Sequence, residues 1–248
     1  MIPLAASAPE VLNPRGAFPC IVAVGHAGAE IPPDLQGLGL RPFALGSHHA
    51  LDRGVAALAR ALAGLIDAAA ILRRTSRLVI DCNRWLGDPR SILTSIDGEP
   101  VPGNAALSSA DREARAEAVL WPHHRRLGAL VAEAERRHPR PALLALHSFT
   151  RHSGGARRLW DAGTIWHERE AMSAAILEAL GRDGTLTLGS NEPYSGRDGV
   201  YTVDRHSYGT GIRACGLEVA DDLLLADGRA EDWGQRIAAA LREAAGSA

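Results

Sequence analysis

Four short apolar runs dominate what this chain can fold into: "CIVAV" (Cys20 to Val24), "RLVI" (Arg77 to Ile80), "ALLAL" (Ala142 to Leu146) and "CGLEVA" (Cys215 to Ala220). Each is continuous rather than alternating and is cut off by polar or turn residues, the pattern of strands covered on both faces. The segments between them have helical spacing. "DRGVAALARALAGLIDAA" places Val55, Leu58, Leu62, Leu65 and Ile66 on one face, with Asp52 where an N-terminal acid or cap would stand. "SSADREARAEAVL" opens with Ser108 and Asp111 at capping-box spacing and runs on through Pro122, where a kink or break is expected. "HEREAMSAAILEALG" predicts a helix ended by Gly181, and "AEDWGQRIAAALREAA" predicts the last one.

Strands alternating with helices specify an α/β protein: a mainly parallel, twisted sheet with helices on both faces. At 248 residues the chain fits one domain over 1–248, with no internal repeat and no linker. Residues 86–107 and 183–211 read as long loops, which in a compact domain are functional or mobile.

A formal charge of −2 gives no footprint for nucleic acid or an anionic membrane. All 27 strongly basic residues are arginines, so a Schiff-base lysine and a P-loop lysine are both excluded. Three scattered cysteines, Cys20, Cys82 and Cys215, form no C-x-x-C pair and point to a reducing, cytoplasmic setting. The N-terminal "MIPLAASAPEVLNPRG" lacks the features of a signal peptide, and no apolar run reaches membrane-spanning length.

In an open α/β sheet, ligands sit beyond the carboxyl ends of the strands. Here the first run leads to His26, the second to Asp81, Asn83 and Arg84, and the third to His147, while Glu218 interrupts the fourth. A carboxylate inside a buried strand has to be paired, protonated or metal-associated. Two histidines and several carboxylates at one edge suit zinc, which takes imidazole and carboxylate and activates a water whose proton a further carboxylate removes. An arginine beside an asparagine suits a planar substrate carboxylate.

These residues lie in "HAGAEIP", "HHALDRGVAALA", "SRLVIDCNR", "LHSFT", "NEPYSGRDGVYTVDRH" and "GLEVADDLL". In order and spacing the set resembles the N-formylglutamate amidohydrolase family, in particular its branch of predicted members, across nearly the whole chain. The resemblance implies a zinc-carboxypeptidase-like fold and a Zn2+-dependent hydrolysis of an N-acyl, formyl-type amide on an acidic amino acid such as N-formylglutamate. It implies His26 and His147 as metal ligands with an acidic third. Asp52 is that acid, with Glu30 as its rival. Glu218 is then the catalytic base and acid, and Arg84, helped by Asn83, binds the substrate's α-carboxylate. Asp81 orients Arg84 or a ligand. Asn191, Tyr194 and Tyr201 are pocket residues, with Arg205 and His206 in the same polar segment. "WPHHRR" brings His124 near the site; adjacent helical positions point about 100° apart, which leaves one of His123 and His124 on the surface. Ala145 stands where better-characterised members carry an acid, and Arg151 where the predicted branch has proline.

The implied partner is a small N-acyl amino acid, with neither nucleic acid nor membrane, and the implied assembly is a monomer or small homo-oligomer. Competing chemistries fare worse. Ser148 has no G-x-S-x-G elbow, Asp81 would raise rather than lower the pKa of a Cys82 thiol, and no nucleotide-binding glycine motif is present. Two other readings stand beside the hydrolase: a non-catalytic binder of an acidic or acylated amino acid, and a metallo-carboxypeptidase or deacylase with a different acyl substrate. His152, before Gly154 and Gly155, has no assigned role.

Overall fold

The computed structural model describes residues 4–153, 155–168 and 170–246. Gly154, and Arg169 of the segment expected to be helical from His167, lie outside them.

A seven-stranded mixed sheet forms the centre. Its strands are β1 (Glu10–Leu12), β2 (Cys20–Val24), β3 (Ala69–Leu72), β4 (Ala142–Phe149), β5 (Ala162–Ile165), β6 (Leu188–Ser190) and β7 (Arg213–Ala220), in the spatial order β1-β3-β2-β4-β7-β5-β6. The central four, β3, β2, β4 and β7, run parallel, while β1 and the β5-β6 pair attach antiparallel at the two sides. Alternate residues of the buried strands serve opposite layers. Val22, Val24, Leu144, Leu146, Leu217 and Val219 face helices α1 (Val55–Ile66), α4 (Ala171–Gly181) and α6 (Arg229–Gly246). Ile21, Ala23, Leu143 and Ala145 face Leu127, Leu130 and Val131 of α3 (Trp121–Arg137) and Val203 of α5 (Tyr201–Ser207). The parallel α/β reading therefore holds, with helices on both faces.

The second apolar run is the exception. Arg77 to Ile80 is a turn, and the strand beside β2 is the preceding "AAIL" of β3. Leu78, Val79 and Ile80 are apolar because a further cluster, with Leu38, Ile92, Val119, Leu120 and Tyr201, buries them beneath the loops. The expected helix from Asp52 starts only at Val55, after Gly54 in the left-handed region at φ 77°, where a Cβ would lie 2.6 Å from that of Leu224. The two long loops also carry structure, including the Ser95–Ile96/Glu99–Pro100 hairpin in the first and β6 and α5 in the second.

Ser108 and Asp111 form the capping box of α2 (Ser109–Arg115). Pro122 does not break the chain's helical course. The turn before it, Ala116–Leu120, is a π-helix, and the Trp121 N–H bonds Ala116 O. Pro122 has no N–H for the carbonyl four residues back, that of Ala118. The fully buried Arg73 guanidinium supplies the missing donor, reaching Ala118 O at 3.3 Å and Val119 O at 3.1 Å, and Ser7 O at 2.6 Å. Replacing Arg73 with methionine strips the buried Val119 carbonyl, and the partly buried Ala118 carbonyl, of this donor. We expect a loss of about 3 kcal/mol, given 1–3 kcal/mol for each buried group left unpaired and some relief from removing a buried charge. Urea unfolding checks this, and an unchanged midpoint would mean that the carbonyls have other partners.

Candidate active site

β2 ends at Val24 and the chain turns through Gly25, delivering His26 to the end of the sheet. The Asp52 N–H donates to His26 O at 3.0 Å, pinning the loop before α1 against that turn. His147 comes from inside a strand: β4 runs on through Phe149, and its last residues are as buried as its apolar core. Glu218 of β7 is directly paired with His147 in the parallel register, so the two side chains project from the same face as neighbours.

The three proposed ligands converge. Asp52 Oδ2 lies 3.2 Å from His26 Nδ1 and 2.8 Å from His147 Nδ1, and one donor atom from each of the three residues falls within 4.8 Å of the others. All three are buried. The rival Glu30 is excluded from this group. Its carboxylate is partly exposed, bonded to Arg74 and to the Ser7 hydroxyl at 2.8 Å.

The surroundings fit a divalent cation. Asp81 Oδ1 holds His26 Nε2 at 2.7 Å, which leaves Nδ1 as that ring's inward-facing nitrogen, the usual carboxylate–imidazole–metal relay. The Asn83 amide nitrogen stands 3.4 Å from His147 Nε2, again turning Nδ1 toward Asp52. Burial and Arg77 oppose a charge on His26, but Asp81 and Asp52 outweigh them and push its pKa up to about 9. Burial alone would raise both carboxyls; the neighbouring His26, with His147 beside Asp52 and Arg77 beside Asp81, holds them well below the usual carboxylate range. The floor of the site is thus a pair of ionised carboxylates that stabilise positive charge at His26. Two imidazoles and a carboxylate are a donor set that zinc accepts, with a position to spare.

Glu218 differs from these acids. Burial, and then the negative charge of Asp52, push its carboxyl up to about 7 against the pull of His147, His26 and Arg77. Its Oε2 has no hydrogen-bond partner among the described residues. A buried carboxyl with a free oxygen and a pKa near neutrality is suited to taking up and releasing a proton.

A cavity of about 500 Å3 opens over the group, lined among others by His26, Asp52, His147, Glu218, Arg84 and Tyr194. Asn83 also reaches it, but its amide is committed to architecture: Oδ1 accepts from the Thr202 N–H at 3.0 Å. Asp81 orients His26 rather than Arg84, whose NH1 donates to Gly199 O at 3.4 Å.

Two expected pocket residues lie elsewhere. Asn191 does not line the cavity; its Oδ1 accepts from the Trp166 and Gly196 N–H groups at 2.9 and 3.1 Å, bracing the loop from behind. Tyr201 is buried beneath the wall, packed on Trp85 and His124, with its hydroxyl accepting from Arg205 at 2.8 Å. The expectation of one surface histidine in "WPHHRR" also fails, since His123 and His124 are both buried. His124 Nε2 donates to Cys82 O at 2.8 Å and its Nδ1 meets His206 Nε2 at 3.1 Å, away from the cavity lining.

The competing nucleophiles are disarmed. The Ser148 hydroxyl donates to Arg53 O at 2.7 Å, and burial pushes the Cys82 thiol up to about 12. Sequence reasoning missed Arg77, which bridges Asp52 at 3.4 Å and Asp81 at 2.9 Å; the R-x-x-x-D spacing in "SRLVID" was its only signal. It also missed Arg158, His48 and His49, which line the cavity from segments without periodicity.

Comparison with known proteins bears on the family. The family model of N-formylglutamate amidohydrolase matches residues 18–225. The crystal structure of a gene product from Agrobacterium tumefaciens is 30% identical, with a TM-score of 0.90 over 98% of this chain and 96% of that one. An N-formylglutamate amidohydrolase from Ralstonia eutropha JMP134 shares the fold at 20% identity, with a TM-score of 0.75 over 97% of this chain and 98% of that one. No curated protein sequence matches the chain. With a family model matched from the first buried strand to beyond the last, the chain belongs to the N-formylglutamate amidohydrolase family.

Proposed function

We propose that the protein is a zinc-dependent amidohydrolase cleaving the N-acyl, formyl-type amide of an acidic amino acid such as N-formylglutamate. The observation that carries this reading is the convergence of His26, Asp52 and His147 beside Glu218, on a cavity that also presents Arg84. His26, Asp52 and His147 would hold the ion, whose chemistry when bound is to acidify a water and polarise the acyl carbonyl.

The chain's own residues supply the rest. Arg84 receives the substrate's α-carboxylate with its fork of donors, fixing the amide over Glu218. Ionised Glu218 takes a proton from the attacking water and passes it to the leaving amine nitrogen, which departs as the free amino acid while the acyl group leaves as formate. Asp81 keeps His26 in its working orientation, and Arg77 holds Asp81 and Asp52 in place through its ion pairs with both. Tyr194, whose hydroxyl burial and Glu218 keep protonated, lines the same cavity and offers that hydroxyl to the substrate.

Metal analysis of the purified protein, joined to a hydrolysis panel of N-formyl, N-formimino, N-acetyl and peptide derivatives of glutamate, aspartate and neutral amino acids, tests the reading. One zinc per chain and a preference for formyl derivatives of acidic residues are expected. Replacing Arg84 with alanine is expected to cost about 10- to 100-fold in kcat/KM, mostly through KM, as the loss of one charged hydrogen-bonding partner. Unchanged KM in that variant would remove Arg84 from the substrate site.

A further inference from the structure

Four arginines line the cavity, and they are not equivalent. Arg77 is matched by Asp52 and Asp81, and Arg90 by Asp88 at 2.7 Å. Arg84 and Arg158 face it without a carboxylate partner among the described residues. Arg84 is accounted for by the α-carboxylate, so a second unmatched cation is left over.

Arg158 follows the small hairpin of His152–Ser153 and Ala156–Arg157 that extends from the end of β4. Its position is built rather than incidental. The guanidinium carbon lies 4.7 Å from the ring centroid of Tyr194 and 5.8 Å from that of Phe149, and NH1 donates to Thr150 O at 3.0 Å. Contact with two aromatic rings orients the planar group without spending its N–H donors, of which only NH1 is bonded among the described residues. Tyr194 and Phe149 line the same cavity, and Tyr194 is within electrostatic reach of both Glu218 and Arg158. The side chain thus stands against Tyr194 in the wall of the cavity that Glu218 also lines, while Arg84 is bonded to Gly199.

We propose that Arg158 is a specificity-determining residue that receives a second anionic group of the substrate, the side-chain carboxylate of an acidic amino acid, while Arg84 holds the α-carboxylate. This rests on the amidohydrolase reading above and identifies which residue selects a dianionic substrate over a singly charged one. A neutral side chain of the same length leaves Arg158 unmatched, and the enzyme discriminates against it.

The test is the ratio of kcat/KM for N-formyl-L-glutamate over N-formyl-L-glutamine in the wild type, Arg158→Gln and Arg158→Lys. The wild-type ratio is expected at about 10 to 100, the worth of one charged hydrogen-bonding contact. In Arg158→Gln it falls to about 1, through KM for the glutamate compound, and Arg158→Lys lies between because a point charge replaces the fork. A ratio that survives Arg158→Gln overturns the proposal, as does a fall in both substrates together, the mark of a merely structural wall residue. A parallel measurement separates this from the chemistry: calorimetric binding of L-glutamate and L-glutamine to Glu218→Gln protein with and without Arg158→Gln. Discrimination that disappears with Arg158 supports the proposal even if the wild type hydrolyses neither compound, an outcome that would sink the hydrolase reading alone. Equal binding of both amino acids to the Glu218→Gln protein overturns the proposal.

Discussion

Glu218→Gln is expected to lower kcat by about 10^2- to 10^4-fold, the range for removing a positioned general base, with KM and bound metal little changed. Glutamine keeps the size of the side chain and removes only the capacity to carry a proton. The pH profile adds a second readout. Because burial pushes Glu218 up to about 7, the wild-type kcat/KM should rise with pH through that region as the carboxyl ionises. The rise should vanish in the variant, whose amide does not titrate there. A variant with wild-type turnover would move the proton-transfer role to another group, and one that loses its metal would make Glu218 a ligand rather than a base. A binding protein would have no turnover to lose.

Removing the metal is the other large effect. Dialysis against a chelator should abolish amide hydrolysis, with several kcal/mol of transition-state stabilisation lost, about three orders of magnitude or more in rate. Zinc should restore it. His147→Ala should imitate the depleted protein and resist rescue, since one of the three converging donors is gone. Asp81→Asn should fall between, about 10- to 100-fold lower in metal affinity or activity, because His26 keeps its place but loses the carboxylate that fixes its tautomer. Undiminished activity in metal-free protein would end the zinc reading.

What could be read in the sequence follows from where each residue sits. Three buried strands were legible because continuous apolar runs of their length leave few alternatives. The fourth was displaced. "AAIL" follows a helix directly, its alanines suit either state, and no glycine marks the boundary; Asp67 takes the left-handed position instead, at φ 49°. "RLVI" is apolar because it is buried, and burial does not require a strand.

The same holds for the site. His26, His147 and Glu218 stood out as polar residues against apolar runs, where their presence demands an explanation. Asp52 needed the family pattern, because a loop acid is ordinary in itself. Asn191 and Tyr201 were placed in the pocket by their neighbours in sequence, and a loop that turns back on itself breaks that inference: Tyr194 reaches the cavity while Tyr201 packs behind it. Arg158 belongs to no motif and is visible only through the rings it touches.

The pairing of β4 with β7 joins two parts of the site that lie about seventy residues apart in sequence. His26, Asp52 and His147 all belong to the part of the chain that precedes the hairpin, and β2, β3 and β4 pair without help from the C-terminal strand. Glu218 arrives only when β7 docks on β4, and a slip of one residue would turn it to the opposite layer. The placement of Glu218 beside His147 therefore depends on the register of a strand remote in sequence, whereas the meeting of His26, Asp52 and His147 does not involve that strand.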